Sequence, residues 1–254
     1  MKTIILAGGF GTRFSEQTES LPKPLIKIGQ KPIIYHIMQR YSMFGYKDFL
    51  IALGYKGEDL KSYFLNYGSI NSDFTINLAS GKTKFIKNHS EDWNVTLINT
   101  GLNTLTGGRL KKLREYIGNE TFMLTYGDGV SDINIEKLLN FHKSHKKMIT
   151  LSAVRPTARF GEISIDDDKV VEFEEKPQMH DGWINGGFFV IEPGFFELIG
   201  DEDVMLEREP LQKATKLGEL MSFKHEGFWK CMDSKRDHTL LEKMYQEGKT
   251  PWLF

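Results

Sequence analysis

Residues 3–13 read Thr-Ile-Ile-Leu-Ala-Gly-Gly-Phe-Gly-Thr-Arg. The apolar run Ile4 to Leu6 has the composition of a buried strand. It ends in a turn carrying Gly8, Gly9 and Gly11, followed by Thr12 and Arg13. Without side chains, successive glycine N–H groups can face one concave space, and such a nest holds phosphate oxygens. Arg13 places a cation beside it. Further along, Pro22-Lys23-Pro24 holds a lysine between two prolines. A phosphate cradle, an arginine and a stiffly presented lysine point to a nucleoside triphosphate or another polyphosphate.

The spacing excludes the two commonest glycine loops. It is not Gly-x-x-x-x-Gly-Lys-Ser/Thr, the P-loop. Gly9 and Gly11 fit the start of Gly-x-Gly-x-x-Gly, but Phe14 stands at the third glycine. A dinucleotide fold also wants an acidic residue at the end of its second strand. Here that strand, Asp48 to Leu53, ends in Gly54-Tyr55-Lys56. Both mismatches argue against a NAD-dependent dehydrogenase.

Outward from this loop, strand and helix patterns alternate. Strands are expected at 3–7, 48–53, 74–79, 94–99, 121–125 and 149–154, with helices at 31–44, 57–66, 107–117 and 134–145. This is the rhythm of a mostly parallel sheet with helices on both faces. Beyond residue 156 the strands shorten, at 161–165, 169–174 and 184–191, and read as a β-rich insertion at the mouth of the site. Helices at 207–217 and 235–247 close the chain. A single domain over 1–254 is expected, with about 1–155 binding nucleotide and about 156–254 binding the acceptor and closing the fold. Phosphates bind at the carboxyl ends of strands in such sheets, where Gly8, Asp128 and Asp233 fall.

The 254 residues carry a net charge of −1, which excludes a strongly basic nucleic-acid surface. The lone cysteine, Cys231, rules out an internal disulfide framework and reads as a packing residue. No apolar stretch is long enough to span a membrane, and the start lacks a signal peptide. The expectation is a cytoplasmic enzyme.

A second cluster is Thr125-Tyr126-Gly127-Asp128-Gly129, where an apolar strand delivers an aspartate between two glycines. Asp233 likewise ends an apolar segment, Phe228 to Met232, although it could instead cap the helix that follows. Two carboxylates converging on a polyphosphate would hold one Mg²⁺. Thr106-Gly107-Gly108-Arg109 opens a helix, where N–H groups and an arginine suit a nucleotide. Glu174-Glu175-Lys176-Pro177 ends a strand with a proline-braced lysine. Ile184-Asn185-Gly186-Gly187-Phe188 sets an amide beside strand glycines, a sign of close ligand or backbone approach. His142 and His145 read as a solvated helix face rather than a metal pair. Tyr63, Phe64 and Tyr67 read as a packing face or a subunit contact.

Taken together, Leu-Ala-Gly-Gly-Phe-Gly-Thr-Arg, Pro-Lys-Pro, Tyr-Gly-Asp-Gly, Glu-Lys-Pro and Asn-Gly-Gly-Phe resemble the sugar-phosphate nucleotidylyltransferases. Trp93 to Leu97, Thr106 to Arg109, Asn185 to Phe189, Glu209-Pro210-Leu211, Gly227-Phe228-Trp229, Met232-Asp233 and Gly248 to Trp252 narrow the match to members that transfer a cytidylyl group. Lys230-Cys231 departs from the Gln-Pro of that pattern.

The resemblance implies a Rossmann-like, GT-A-like α/β fold. It also implies a Mg²⁺-dependent reaction of CTP with α-D-glucose 1-phosphate, giving CDP-glucose and pyrophosphate. In this reading Leu6, Ala7, Gly8, Gly9, Phe10, Gly11 and Thr12 hold the nucleotide. Arg13 meets the leaving pyrophosphate and Lys23 the α-phosphate, while Asp128 and Asp233 share the metal. Thr104, Arg109 and Gly127 lie near the nucleotide. Lys176 positions the sugar phosphate, Glu175 and Asn185 meet sugar hydroxyls, and Gly161 allows close backbone approach. The family suggests a homo-oligomer, and region 77–91 is expected near the acceptor or at a subunit contact. Another phosphorylated acceptor, UTP or dTTP in place of CTP, and a catalytically silent regulatory homologue remain open from sequence.

Overall fold

The computed structural model describes residues 1–11, 21–87, 90–156, 162–166, 169–174, 182–200 and 203–254. The first half begins with β1 (Thr3–Ala7), a 3₁₀ turn (Lys23–Leu25), β2 (Lys27–Ile28), β3 (Lys31–Pro32) and α1 (Ile33–Ser42). Then follow β4 (Asp48–Leu53), α2 (Gly57–Leu65), α3 (Tyr67–Ile70), β5 (Asp73–Ile76), β6 (Thr83–Lys87) and β7 (Asn94–Asn99). Helices α4 (Thr106–Lys112) and α5 (Arg114–Ile117) precede β8 (Phe122–Tyr126), β9 (Gly129–Ser131), α6 (Ile135–His145) and β10 (Ile149–Val154). The remainder holds β11 (Glu162–Asp166), β12 (Lys169–Glu174), β13 (Ile184–Ile191), α7 (Phe196–Ile199), α8 (Glu209–Lys216), β14 (Leu220–His225), β15 (Trp229–Cys231) and α9 (Lys235–Gln246).

The central sheet runs β14-β10-β13-β8-β1-β4-β7. β1 pairs in parallel with β4 and β8, β4 with β7, and β10 with β14. β13 lies antiparallel between β8 and β10. The expected mostly parallel mixed sheet is what forms. Both parts of the chain contribute strands to it.

Strand alternation sorts the apolar residues into two cores. Ile5, Ala7, Phe49, Ile51, Met123, Phe188 and Val190 face α1, α6 and α9, meeting Ile37, Leu138 and Leu241. Ile4, Leu6, Leu50, Ala52, Leu124, Phe189 and Ile191 face the other way, toward Leu110, Ile117, Phe196 and Leu211. Because β1, β4, β8 and β13 are covered on both faces, they read as continuous apolar runs. α1 buries Ile33, Ile34, Ile37, Met38 and Tyr41 along one stripe.

Three local expectations change. The helix expected at 107–117 is divided, because Leu113 N–H reaches only three residues back to Leu110 C=O, at 3.0 Å, and this tighter turn separates α4 from α5. The strand expected at 74–79 is instead the first arm of a hairpin, β5 and β6. Asn77 side-chain oxygen accepts from Ser80 N–H at 2.9 Å and Gly81 adopts φ +69°. Every residue of both arms is exposed, so no inside–outside alternation announces it. His142 is buried rather than solvated, its ring nitrogens 2.8 Å from Thr150 Oγ1 and 3.0 Å from Glu192.

Candidate active site

The site lies where β1 and β8 end side by side. Leu6 is in register with Tyr126, and Gly127 N–H donates to Leu6 C=O at 3.0 Å. The glycine loop and Asp128 therefore leave adjacent parallel strands at the same edge. Asp233 arrives by a different route. β15 pairs with β9, setting Cys231 opposite Gly129, and Met232 N–H donates to Asp128 C=O at 2.8 Å. This ladder carries Asp233 to Asp128. Ser234, the next residue, caps α9 by accepting from Asp237 N–H.

Lys23 stands between the two carboxylates, 2.8 Å from Asp128 Oδ2 and 2.5 Å from Asp233 Oδ1. Pro22 and the 3₁₀ turn hold it there: Leu25 N–H donates to Pro22 C=O, and Ile26 N–H to Lys23 C=O. Burial favours the neutral amine, but the Asp128 charge and the hydrogen bonds to both aspartates outweigh it and raise the Lys23 pKa. Asp128, Cys231 and Asp233 each offer a donor atom, all within 4.8 Å of one another. Burial, then the Asp128 charge, pushes the Cys231 thiol up. That direction disfavours the thiolate a nucleophile would need.

Two cavities meet at this cluster. One, about 380 Å³, is lined by Leu6 to Gly11, Lys23, Thr104, Arg109, Gly127, Asp128, Met205 and Asp233, among others. The second, about 280 Å³, takes in Asn185 to Phe188, Trp229 and Cys231. Tyr126, Asp128 and Asp233 line both. A larger chamber and a smaller one thus open on the same pair of carboxylates, an arrangement suited to joining two phosphorylated molecules.

Arg109 has a place that sequence alone did not give it. Its guanidinium is buried and donates to the carbonyls of Gly8, Leu53, Gly101 and Leu102 and to Thr100 Oγ1. It fastens the glycine loop to the segment after β7. A Cβ at Gly8 would lie 2.3 Å from Arg109 Cζ, so glycine is required there by this arginine. The N–H groups at the start of α4 are also already used: Leu105 N–H donates to Asp203, and Gly107 N–H to Val204 C=O.

The family model for nucleotidyl transferases matches residues 2–230. The chain belongs to the nucleotidyl transferase family. It is 48% identical over 253 residues to a glucose-1-phosphate cytidylyltransferase of Salmonella typhi, covering 99% of this chain and 98% of that one. It is 29% identical to a mannose-1-phosphate guanyltransferase of Saccharomyces cerevisiae, over 93% of this chain and 62% of the relative. Its fold matches that of HddC from Yersinia pseudotuberculosis with a TM-score of 0.69, at 23% identity, covering 96% of this chain and 99% of the other.

In this nucleotidyl transferase the structure gathers most of the expected residues. Leu6 to Gly11, Lys23, Thr104, Arg109, Gly127, Asp128 and Asp233 share the larger cavity, and Asn185 lies in the smaller. Thr12, Arg13, Gly161, Glu175 and Lys176 lie outside the described residues. Sequence reasoning missed Tyr126, Met205, Glu207 and Cys231 as members of the site. Tyr126 adjoins the Gly-Asp-Gly motif and could have been found there. Nothing in the local sequence around Glu207 marks it.

Proposed function

We propose that this chain transfers a cytidylyl group from CTP to α-D-glucose 1-phosphate. A phosphate oxygen of the sugar phosphate attacks the α-phosphorus of CTP. The bond to the β-phosphate's bridging oxygen breaks, and pyrophosphate leaves. The attacking oxygen is already anionic, so no protein nucleophile is required. The geometric support for nucleotidyl transfer is the convergence of Lys23, Asp128 and Asp233 where the two cavities join. Support for cytosine and glucose 1-phosphate is the near-full-length similarity to the Salmonella protein.

In this proposal the Gly8–Gly11 backbone and Thr104 hold the nucleotide, with Gly127 passing close beneath it. Arg109 shapes that wall from behind. Lys23 approaches the α-phosphate and Arg13 the leaving pyrophosphate. Lys176, Glu175, Asn185 and Gly161 serve the acceptor. Catalysis then consists of aligning polyanions and offsetting their charge.

Mg²⁺ is the cation proposed for Asp128 and Asp233. The donor set fits it: both carboxylates already converge on one cation, the Lys23 ammonium. Mg²⁺ is normally held by one or two carboxylates with phosphate oxygens and waters. Bound there, it would neutralise charge on the reacting phosphates.

A homo-oligomer is also proposed. The β5–β6 hairpin is exposed along its whole length, and Phe74, Ile76, Phe85 and Ile86 are among its exposed apolar side chains. A two-stranded hairpin is marginal in water unless something packs on it. It carries Lys84 and Lys87, whereas Glu91 stands at a groove lined by Phe64, Tyr67 and Trp93. That match of charge and apolar surface suits a second copy of the chain. Cytoplasmic residence belongs to the proposal because both substrates are highly charged and do not cross membranes unaided. No described helix is long and apolar enough to cross a membrane.

The test is a matrix of CTP, UTP, dTTP, ATP and GTP against several sugar 1-phosphates, read by pyrophosphate release with Mg²⁺. The expected result is fastest turnover with CTP and glucose 1-phosphate. Faster formation of UDP- or dTDP-glucose overturns the base assignment, and consumption of CTP only with another acceptor overturns the sugar. Failure of every pair favours the regulatory alternative.

A further inference from the structure

The segment 203–207 is strapped across the start of α4. Asp203 Oδ1 accepts from Leu105 N–H at 2.9 Å, and Val204 C=O accepts from Gly107 N–H at 2.9 Å. Leu206 N–H donates to Thr106 Oγ1 at 2.8 Å. A Cβ on Gly108 would lie 2.0 Å from Asp203 Oδ1, and one on Gly107 2.8 Å from Val204 O. The Gly-Gly pair that sequence reading assigns to a nucleotide is therefore required by this strap.

The strap ends at Glu207, whose carboxylate is shared. Thr106 Oγ1 donates to Oε2 at 2.6 Å, and the Tyr126 hydroxyl donates to Oε1 at 2.6 Å. On its other side the Tyr126 hydroxyl accepts from Asn185 Nδ2 at 3.4 Å. The tyrosine ring is wedged against Gly187, at φ +79°, where a Cβ would lie 2.6 Å from Cδ2.

This places a hydrogen-bonded chain between the two cavities. Thr106 and Met205 line the larger one, Asn185 lines the smaller, and Tyr126 lines both. Tyr126 is also two residues from Asp128. We propose that Glu207 is a positioning residue that, through Tyr126, couples the acceptor chamber to the nucleotide chamber. An acceptor engaging Asn185 changes what the Tyr126 hydroxyl can do. Glu207 passes that change to Thr106 and the strap at the nucleotide wall. The proposal rests on the transferase reading above.

The experiment measures the Kd of α,β-methylene-CTP by calorimetry with and without saturating glucose 1-phosphate, so that no turnover intervenes. In the wild-type protein the acceptor should change that Kd by about fivefold or more, a usual size for linked sites. In Tyr126→Phe and in Glu207→Gln the ratio of the two Kd values, each measured on the same variant, should fall to near one. The double variant should be no worse than either single one, since all remove one chain of contacts. Tyr126→Phe retains the ring against Gly187 and serves if Glu207→Gln does not fold. A wild-type ratio of one, or an unchanged ratio in a folded variant, overturns the coupling. Absence of any analogue binding to the wild-type protein overturns the CTP assignment instead.

Discussion

The Lys23 ammonium lies 2.5 Å from a carboxylate oxygen of Asp233, a residue from the far end of the chain, and 2.8 Å from one of Asp128. One cation position is thus shared by the loop after β1, the turn after β8 and the segment after β15. The lysine holds it and offsets the repulsion of the two aspartates.

Asp128→Asn and Asp233→Asn are each expected to lower turnover by a factor on the order of a hundred or more, since charge stabilisation is the main work of the site. Chelation of divalent metal should do the same to the unmodified protein. Pyrophosphate release, with circular dichroism to confirm folding, measures both. Near-normal rates in the two variants would remove the aspartates from the mechanism. Lys23→Met should destabilise the metal-free protein by about 1–2 kcal/mol, with Mg²⁺ restoring part of the loss. Urea titrations with and without Mg²⁺ read this directly.

Arg109→Met is expected to act through folding and shape. It takes the guanidinium from the carbonyls of Gly101 and Leu102 and from those of Gly8 and Leu53, of which Gly8 keeps Tyr55 N–H and Leu53 keeps Thr100 N–H and Oγ1–H. The cost should be about 2–4 kcal/mol, because several hydrogen bonds from one charged group are lost together. Chemical denaturation measures it. A variant of unchanged stability with weakened nucleotide binding would show that the arginine meets the ligand instead.

Gly187→Ala should be destabilising by more than about 1 kcal/mol. The residue has φ +79°, a region costly for alanine, and its new Cβ would strike the Tyr126 ring. Glucose 1-phosphate KM should rise with it, because the ring cannot keep its place between the cavities. A thermal melt and a KM unchanged from wild type would refute this.

His36 gives the protein an acid-sensitive component of stability. Its Nε2–H donates to Ile28 C=O at 2.9 Å and its Nδ1 accepts from Trp252 Nε1–H at 3.3 Å, a pairing that needs the neutral ring. Burial lowers its folded-state pKa, so on acidification the unfolded chain takes up this proton first. The contribution is fully present above an unfolded pKa of about 6.5. It declines as the pH falls toward the folded value, by up to about 1.4 kcal/mol per pH unit. His145 is shifted the same way, so the wild-type slope combines both. Unfolding free energies from pH 5 to 7.5 should slope less steeply for His36→Asn. Identical slopes would show that the histidine contributes nothing.

The strands of the sheet were legible because their periodicity is local. β1, β4 and β10 occur where sequence placed them, their apolar residues forced inward by layers on either side, whereas β13, expected in an insertion at the mouth of the site, lies within the central sheet. The phosphate-loop glycines and the Gly-Asp-Gly turn were equally readable, since each is a property of a few adjacent residues. So was the α/β class, which follows from the order of the patterns. Tertiary structure decided what those residues touch. Gly8 makes room for Arg109, and Gly107 and Gly108 make room for a strap a hundred residues away, contacts that no local pattern encodes. The exposed hairpin β5–β6 had no burial signal to read. The meeting of Lys23, Asp128 and Asp233 depends on the β9–β15 ladder, and Glu207 reaches Tyr126 only after the sheet has closed. Sequence supplies groups and local geometry; distance between groups far apart in the chain is set by packing, which exists only in the folded molecule.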